Sequence, residues 1–229
     1  MDFIYNLQPI IPLKSQYNNT YWVELLCKNK DMFYFSQEKW RMWYKSISKI
    51  ITTNFQDHGF TSISINLDTQ HLLDNTILNS ISELKEFPIC IEWTERKLAF
   101  ESENCLNAAV ENLESICQKN NFFLCLDDMG RGESCIRRLF LTRPCAVKID
   151  GKIYQQSKCN EYHANLFKNY VNYLKSANIP IVIEWIEDLY DLGVANSLNM
   201  DFAQGFYWHY KDIEKIKHFN FEEDLCYST

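Results

Sequence analysis

Short apolar runs alternate with longer amphipathic stretches along this chain, and that alternation limits it to a small set of folds. The runs are Phe3–Ile11, Tyr21–Leu26, Ser62–Leu67, Pro88–Trp93, Phe122–Leu126, Ala146–Ile149, Pro180–Glu184 and a last short one at Asp201–Gln204. They are rich in Ile, Val, Phe and Tyr, and most are too short for helices, so they read as strands. Between them lie helix-length stretches: Gln37–Phe55, Thr69–Leu84, Asn104–Lys119, Ser134–Leu141, Gln155–Ala177 and Leu189–Leu198. In one of these, Leu166, Phe167, Tyr170, Val171 and Leu174 form an apolar stripe at helical spacing. Strands that alternate with helices build βα units and a mainly parallel sheet. Eight strands within 229 residues predict an α/β chain folded as an irregular (β/α)8 TIM-like barrel. The link Lys14–Thr20 is too short for a crossover helix, so the first two strands should pair antiparallel. An open doubly wound sheet competes, but no glycine-rich turn follows the first strand. One domain is expected over residues 1–229, with a charged tail at 211–229.

Composition narrows the partners. The formal charge is −7, from 30 acids and 23 bases, which argues against binding a nucleic-acid polymer. An acidic chain can hold a phosphate ester if metal ions reverse the local field. No apolar run approaches the ~18–20 residues that span a bilayer. Met1 to Leu13 lack the basic and apolar regions of a secretory leader, so a cytoplasmic protein is expected. The nine cysteines include no C-x-x-C pair. Cys125, Cys135 and Cys145 are evenly spaced, yet no histidine stands at ligand spacing to them. Free thiols in a reducing compartment follow.

Polar residues fall at the C-terminal ends of the expected strands: Glu24-Leu25-Leu26, Asn66, Glu92, Asp127-Asp128, Lys148-Ile149-Asp150, Glu184 and Gln204-Gly205. In a barrel these ends converge on one mouth. Each residue alone has an ordinary structural reading, as a helix cap or an exposed ion pair. Together the acids would repel one another and hold their protons. Divalent cations resolve the repulsion. Carboxylate and amide oxygens without histidine or cysteine suit Mg²⁺ or Mn²⁺. The adjacent pair Asp127-Asp128 suggests two cations sharing a carboxylate, an arrangement suited to phosphodiester hydrolysis. Lys148 could hold the attacking water or offset phosphate charge.

The ordered segments Glu24-Leu25-Leu26, Ile65-Asn66-Leu67, Ile91-Glu92-Trp93-Thr94-Glu95, Leu126-Asp127-Asp128-Met129-Gly130-Arg131-Gly132, Val147-Lys148-Ile149-Asp150, Glu184-Trp185-Ile186-Glu187 and Gln204-Gly205 resemble the EAL domain. Leu7-Gln8-Pro9-Ile10 resembles that family's opening segment, and the likeness runs from about Gln8 to Tyr207. These are bacterial cyclic di-GMP phosphodiesterases, which linearise the second messenger to pGpG on an irregular (β/α)8 barrel. The resemblance implies a first metal on Glu24, Asn66, Glu92 and Asp127, and a second on Asp127, Asp128 and Glu184. The metals would be Mg²⁺ or Mn²⁺, with Ca²⁺ inhibitory. Lys148 would contact the attacking water, Glu184 is the other candidate for proton transfer, and Asp150 and Gln204 would support them. Leu26, Lys28 and Gln204 would face the substrate. Glu95 would anchor the loop Asp127–Ser134, Glu187 would orient its face of the mouth, and the domain would form a homodimer.

The chain also departs from the family. The signature Glu-Ala-Leu reads Glu-Leu-Leu, and Lys28 stands for the usual arginine. Met129 and Arg131 replace Phe and Thr in the loop, and Trp185 replaces a glycine. A non-catalytic EAL-like module that binds cyclic di-GMP or a protein partner is the alternative. The complete acid set favours the enzyme.

Overall fold

The computed structural model describes residues 3–28, 36–55, 59–94, 102–131 and 135–208. Glu95, residues 132–134 of the loop after Asp127-Asp128, and the tail 211–229 lie outside them. Eight strands close into a barrel in chain order: β1 (Tyr5–Pro12), β2 (Trp22–Cys27), β3 (Ser62–Leu67), β4 (Ile89–Trp93), β5 (Phe123–Met129), β6 (Ala146–Ile149), β7 (Ile181–Ile183) and β8 (Phe202–Ala203). β1 runs antiparallel to both neighbours, β2 and β8, and every other pairing is parallel. The expected irregular barrel and its antiparallel pair are therefore present. The short link between β1 and β2 holds only one 3-10 turn, Ser15–Tyr17.

Helices α1 (Gln37–Asn54), α2 (Thr69–Leu72), α3 (Asn75–Ser82), α4 (Glu103–Asn120), α5 (Cys135–Leu141), α6 (Gly151–Ser157), α7 (Glu161–Ser176) and α8 (Leu189–Ser197) cover the outside. Two expected helices are each broken in two. Asp74 caps α3, taking the N–H groups of Thr76 and Ile77, and Asn160 caps α7, taking that of His163. A side-chain acceptor at these points satisfies the first turn's N–H groups and ends the preceding helix. β1 also starts two residues later than Phe3, and β7 stops before Glu184.

Period-two alternation builds the inside. Ile10, Trp22, Cys90, Cys125, Ala146, Val182 and Phe202, from seven different strands, pack together as the barrel floor. The Trp22 indole N–H donates to the Ser64 hydroxyl at 2.7 Å, so β3 joins the floor through a hydrogen bond. The alternate residues, such as Val23, Ile63, Ile91, Leu126, Val147 and Ile183, face outward into the larger core under the helices. Asp201 fastens the closure: Leu13 N–H donates to its carbonyl at 2.8 Å, Ile181 N–H to its carboxylate at 2.9 Å, and Lys14 pairs with it at 2.6 Å. Among the described residues Cys90, Cys105, Cys117, Cys125, Cys145 and Cys159 are free thiols. No helix among the described residues is long and apolar enough to cross a membrane.

Candidate active site

Two residues beyond each floor residue except Ile10, which lies on the antiparallel β1, the next inward position is polar. Trp22 gives way to Glu24, Cys90 to Glu92, Cys125 to Asp127, Ala146 to Lys148, Val182 to Glu184 and Phe202 to Gln204. In a closed barrel this puts one ring of polar side chains directly above an apolar floor. Lys148 is its centre. Its ammonium lies 3.0 Å from Glu24 Oε2, 2.9 Å from Glu92 Oε2, 3.0 Å from Glu184 Oε1 and 3.4 Å from Asp127 Oδ1. Lys148 and Glu92 are almost completely buried.

Neighbours hold the ring in place. Asn66 Nδ2 donates to Glu24 Oε1 at 2.6 Å, and Gln204 Nε2 to Glu24 Oε2 at 2.6 Å. Asn66 is fixed from behind, because the Tyr44 hydroxyl donates to its carbonyl at 2.5 Å while lying 3.0 Å from His71 Nδ1. The Ser64 hydroxyl, which accepts from the Trp22 indole, lies close enough to Glu92 to oppose slightly the rise in its pKa. Ser64 stands two residues before Asn66 on the same face of β3, a spacing that would have exposed it in the sequence. Tyr44 and His71 come from α1 and α2 and leave no such signal.

Asp127 and Asp128 are adjacent, and in a regular strand they would face opposite sides. The β5–β6 register breaks between Leu126 and Met129, and Asp128 takes a positive φ of 55°. A bulge of this kind re-aims a side chain. Asp127, Asp128 and Glu184 consequently each bring an oxygen within 4.8 Å of the others. Arg131 approaches from the rim, 3.4 Å from Asp128 Oδ1 and 3.7 Å from Asp150 Oδ2. Asp150 also caps α6, its Oδ1 accepting from Lys152 N–H at 2.8 Å and Ile153 N–H at 3.3 Å.

One ammonium cannot neutralise four carboxylates, and the titration of the ring divides accordingly. Burial works against the charge on Lys148, but the field of Asp127, Glu24, Glu92 and Glu184 overcomes it and raises the pKa well above the usual lysine value. Burial works against Glu24 also. There the charge of Lys148 and the bonds from Asn66, Gln204 and Lys148 win, and the pKa is lowered. Glu92 goes the other way: burial and then the charge of Glu24 raise it well above the usual range. Burial raises Asp127, with the charge of Glu24 helping against Lys148. Asp128 is raised to about 7 by burial and the charge of Asp127. Glu184 is raised to about 8, by burial first, with Lys148 opposing and Asp127 and Glu24 adding to the rise.

The donor set fits a hard divalent cation. Glu92 Oε1 and Gln204 Oε1 are buried and accept no hydrogen bond, and Asp127 Oδ1 has only its 3.4 Å ion pair with Lys148. Unpaired buried acceptors of this kind are costly unless a cation takes them up. All of the donors are oxygens, which suit hard divalent cations.

The remaining candidates sit on the rim. Leu26 is half-buried in β2 opposite Asn6, and Lys28 is exposed just past the strand, its N–H bonded to the Ile4 carbonyl at 2.7 Å. Glu187 is exposed, and its N–H donates to Asp191 Oδ2 at 3.0 Å. Asp191 itself is buried, accepts from the Tyr154 hydroxyl at 2.6 Å and pairs with Lys158, tying α8 to α6. Sequence reasoning missed Asp191, an acid inside a helix with nothing local to mark it.

Comparison with known proteins agrees with this geometry. Residues 44–210 match the EAL domain family, and the chain belongs to it. The match begins after β2, so Glu24-Leu25-Leu26 precedes it, yet the barrel brings Glu24 to Lys148. The chain is 26% identical over 204 residues to cyclic di-GMP phosphodiesterase PdeA of Borreliella burgdorferi, covering 87% of this chain and 28% of that protein. It is 25% identical over 164 residues to the probable cyclic di-GMP phosphodiesterase PdeG of Escherichia coli, covering 67% and 31% respectively. The chain thus spans less than a third of either relative's length. Among solved structures, an EAL domain protein from Listeria monocytogenes superposes with a TM-score of 0.69 at 20% identity, over 90% of this chain and 86% of that one.

Proposed function

We propose that this domain hydrolyses one phosphodiester bond of cyclic di-GMP, giving linear pGpG, with Mg²⁺ or Mn²⁺ bound at the barrel mouth. The observation that carries the reading is the ring around Lys148, where Glu24, Glu92, Asp127 and Glu184 meet with Asn66 and Gln204 alongside. Both relatives named above are described as cyclic di-GMP phosphodiesterases, PdeG as a probable one, which supports this choice of substrate.

Glu24, Asn66, Glu92 and Asp127 would hold one cation, and Asp127, Asp128 and Glu184 a second. Bound there, the pair lowers the pKa of water and stabilises charge on the attacking and leaving oxygens. Hydrolysis forms a P–O bond from water and breaks the P–O3′ bond. Water must therefore lose a proton and the 3′ oxygen must gain one. Lys148 is held as an ammonium, so it orients water and phosphate by donating and does not take water's proton. Glu184, at the mouth beside Lys148, is the other candidate to carry that proton. Asn66 and Gln204 lock the Glu24 carboxylate in one orientation. Asp150 fixes the start of α6 at the rim. Lys28, past the end of β2, would meet the second phosphate. The domain would act as a homodimer, and a strictly monomeric, fully active protein in sedimentation would remove that expectation.

The test is turnover of cyclic di-GMP with Mg²⁺ or Mn²⁺, followed by separation of the products. Release of pGpG that stops in chelator and falls by orders of magnitude in Glu24→Ala, with circular dichroism unchanged, is expected. Binding without turnover in either metal would sink the hydrolase and leave the non-catalytic binding module. Full activity in chelator would sink the metal requirement.

A further inference from the structure

Trp185 follows Glu184 directly and holds a conformation that L side chains rarely adopt, with φ at 60°. A bulky residue with positive φ is a backbone outlier, and such outliers collect at ligand-binding positions. The indole gains no full burial in return, for the residue is 43% exposed. Its placement is nevertheless defined. A Cβ built on Gly151 would lie 2.0 Å from Trp185 Cγ and 2.3 Å from both Cδ1 and Cδ2. An approach in the ring plane would leave Cδ1 and Cδ2 far more distant than Cγ. Gly151 therefore lies under the face of the indole, and only glycine allows that approach. With that face covered by Gly151, the exposed part of Trp185 lies on the rest of the side chain.

The backbone around Trp185 is clamped. Ile186 N–H donates to the Gln204 carbonyl at 3.1 Å, and Tyr207 N–H to the Ile186 carbonyl at 3.0 Å. A Cβ on Gly205 would lie 2.0 Å from the Ile186 carbonyl oxygen, so the β7 and β8 loops are in direct contact. A rigid, flat, half-exposed aromatic thus stands at the mouth, one residue from the Glu184 carboxylate that pairs with Lys148.

We propose that the outer face of Trp185 is a stacking platform for one purine base of the bound nucleotide. This rests on the proposed function for the identity of the nucleotide. A base stacks on an aromatic face whatever its hydrogen-bonding edge, so the platform adds affinity for a purine without discriminating among purines. It acts on binding and leaves the bond-breaking groups alone.

The experiment is a calorimetric titration of cyclic di-GMP in Ca²⁺ into the parent, Trp185→Phe, Trp185→Ala and Gly151→Ala proteins. Trp185→Ala should bind about tenfold more weakly or worse, and Trp185→Phe should recover most of the loss. Gly151→Ala should match Trp185→Ala, because its methyl group displaces the indole. Mn²⁺ affinity and melting temperature, measured alongside, should be unchanged in Trp185→Phe and Trp185→Ala. Equal cyclic di-GMP affinity in the parent and Trp185→Ala overturns the platform and leaves the proposed function standing. If the parent neither binds nor cleaves cyclic di-GMP, the proposed function fails and GMP quenching of indole fluorescence decides the platform alone. Quenching in the parent that is lost in Trp185→Phe then supports it. The same quenching in both, or none in the parent, overturns it.

Discussion

Without metal, this protein should become less stable as pH rises, and Glu184 sets the size of the effect. Burial, helped by the charges of Asp127 and Glu24 and opposed by Lys148, raises its pKa from 4.5 to about 8. The unfolded chain releases that proton near the ordinary value. Between the two values the folded state binds more protons than the unfolded state, so stability falls with rising pH. Below 4.5 the group costs nothing, and above about 8 the cost is complete. From about pH 5.5 to about pH 8 this one carboxyl removes roughly 3 kcal/mol. That is a large part of the ~5–15 kcal/mol that holds a typical domain folded. Asp128, raised from 3.8 to about 7, pushes in the same direction at lower pH. Both feel the charge of Asp127, so their costs add only in part. Glu24 does not oppose them in this window. Its lowered pKa gives stability that is present above 4.5 and is lost only in stronger acid.

Urea unfolding in chelator at the two pH values measures this directly. The chelated protein should be weaker at the higher pH by roughly 3 kcal/mol. Saturating Mn²⁺ should shrink or reverse the difference, because the metal needs the carboxylates as anions and binds the folded form. Glu184→Gln should flatten the chelated profile. A chelated parent that is equally stable at both values, or a Glu184→Gln protein that keeps the full slope, would refute the electrostatic account of the ring.

Two further substitutions separate the roles proposed around the mouth. Lys148→Ala leaves Glu24, Glu92, Asp127 and Glu184 without their common counter-ion. The metal-free protein should lose about 3–5 kcal/mol at high pH, and turnover should fall more than substrate affinity. A change confined to affinity, read from a split of kcat and KM, would remove Lys148 from the attacking water. Lys28→Ala should weaken cyclic di-GMP binding in Ca²⁺ about tenfold or more while saturated turnover changes little. Lys28→Arg should bind as well or better, since the guanidinium offers two parallel donors. Equal affinities in all three proteins would place Lys28 outside the site.

The barrel was legible because its strands obey a two-residue period, and the site was legible for the same reason. Acids and amides stood at the ends of apolar runs, so closure of the sheet was bound to gather them. The apolar floor obeyed the same period two residues earlier, at Trp22, Cys90, Cys125, Ala146, Val182 and Phe202. What stayed hidden depends on contacts between distant segments. Asp150 looked like a member of the chemistry, and its Oδ1 is committed to capping α6. The break between α6 and α7 falls at Asn160, a cap residue inside a helix-length stretch whose apolar stripe, Leu166 to Leu174, lies wholly beyond it. β7 stops at Ile183 because Trp185 leaves extended geometry, and no propensity marks a tryptophan for positive φ.

Three of the five departures from the family pattern share a location, while the other two, Leu25 and Met129, are buried apolar exchanges. Lys28, Arg131 and Trp185 are all exposed at the rim, with half or nearly half of Arg131 and Trp185 open to solvent. None of the ring residues departs from the pattern. The difference has a physical basis in how each position is held. Glu24 accepts from Asn66, Lys148 and Gln204 at once, and Lys148 answers four carboxylates, so altering either strands several buried charges or dipoles together. A rim side chain can change with little effect beyond its own contacts: Arg131 touches Asp128 and Asp150 only at 3.4 and 3.7 Å. Such long, half-solvated contacts contribute little to the fold. The rim is therefore where a chain of this architecture can alter how it grips a nucleotide without dismantling the charged ring beneath.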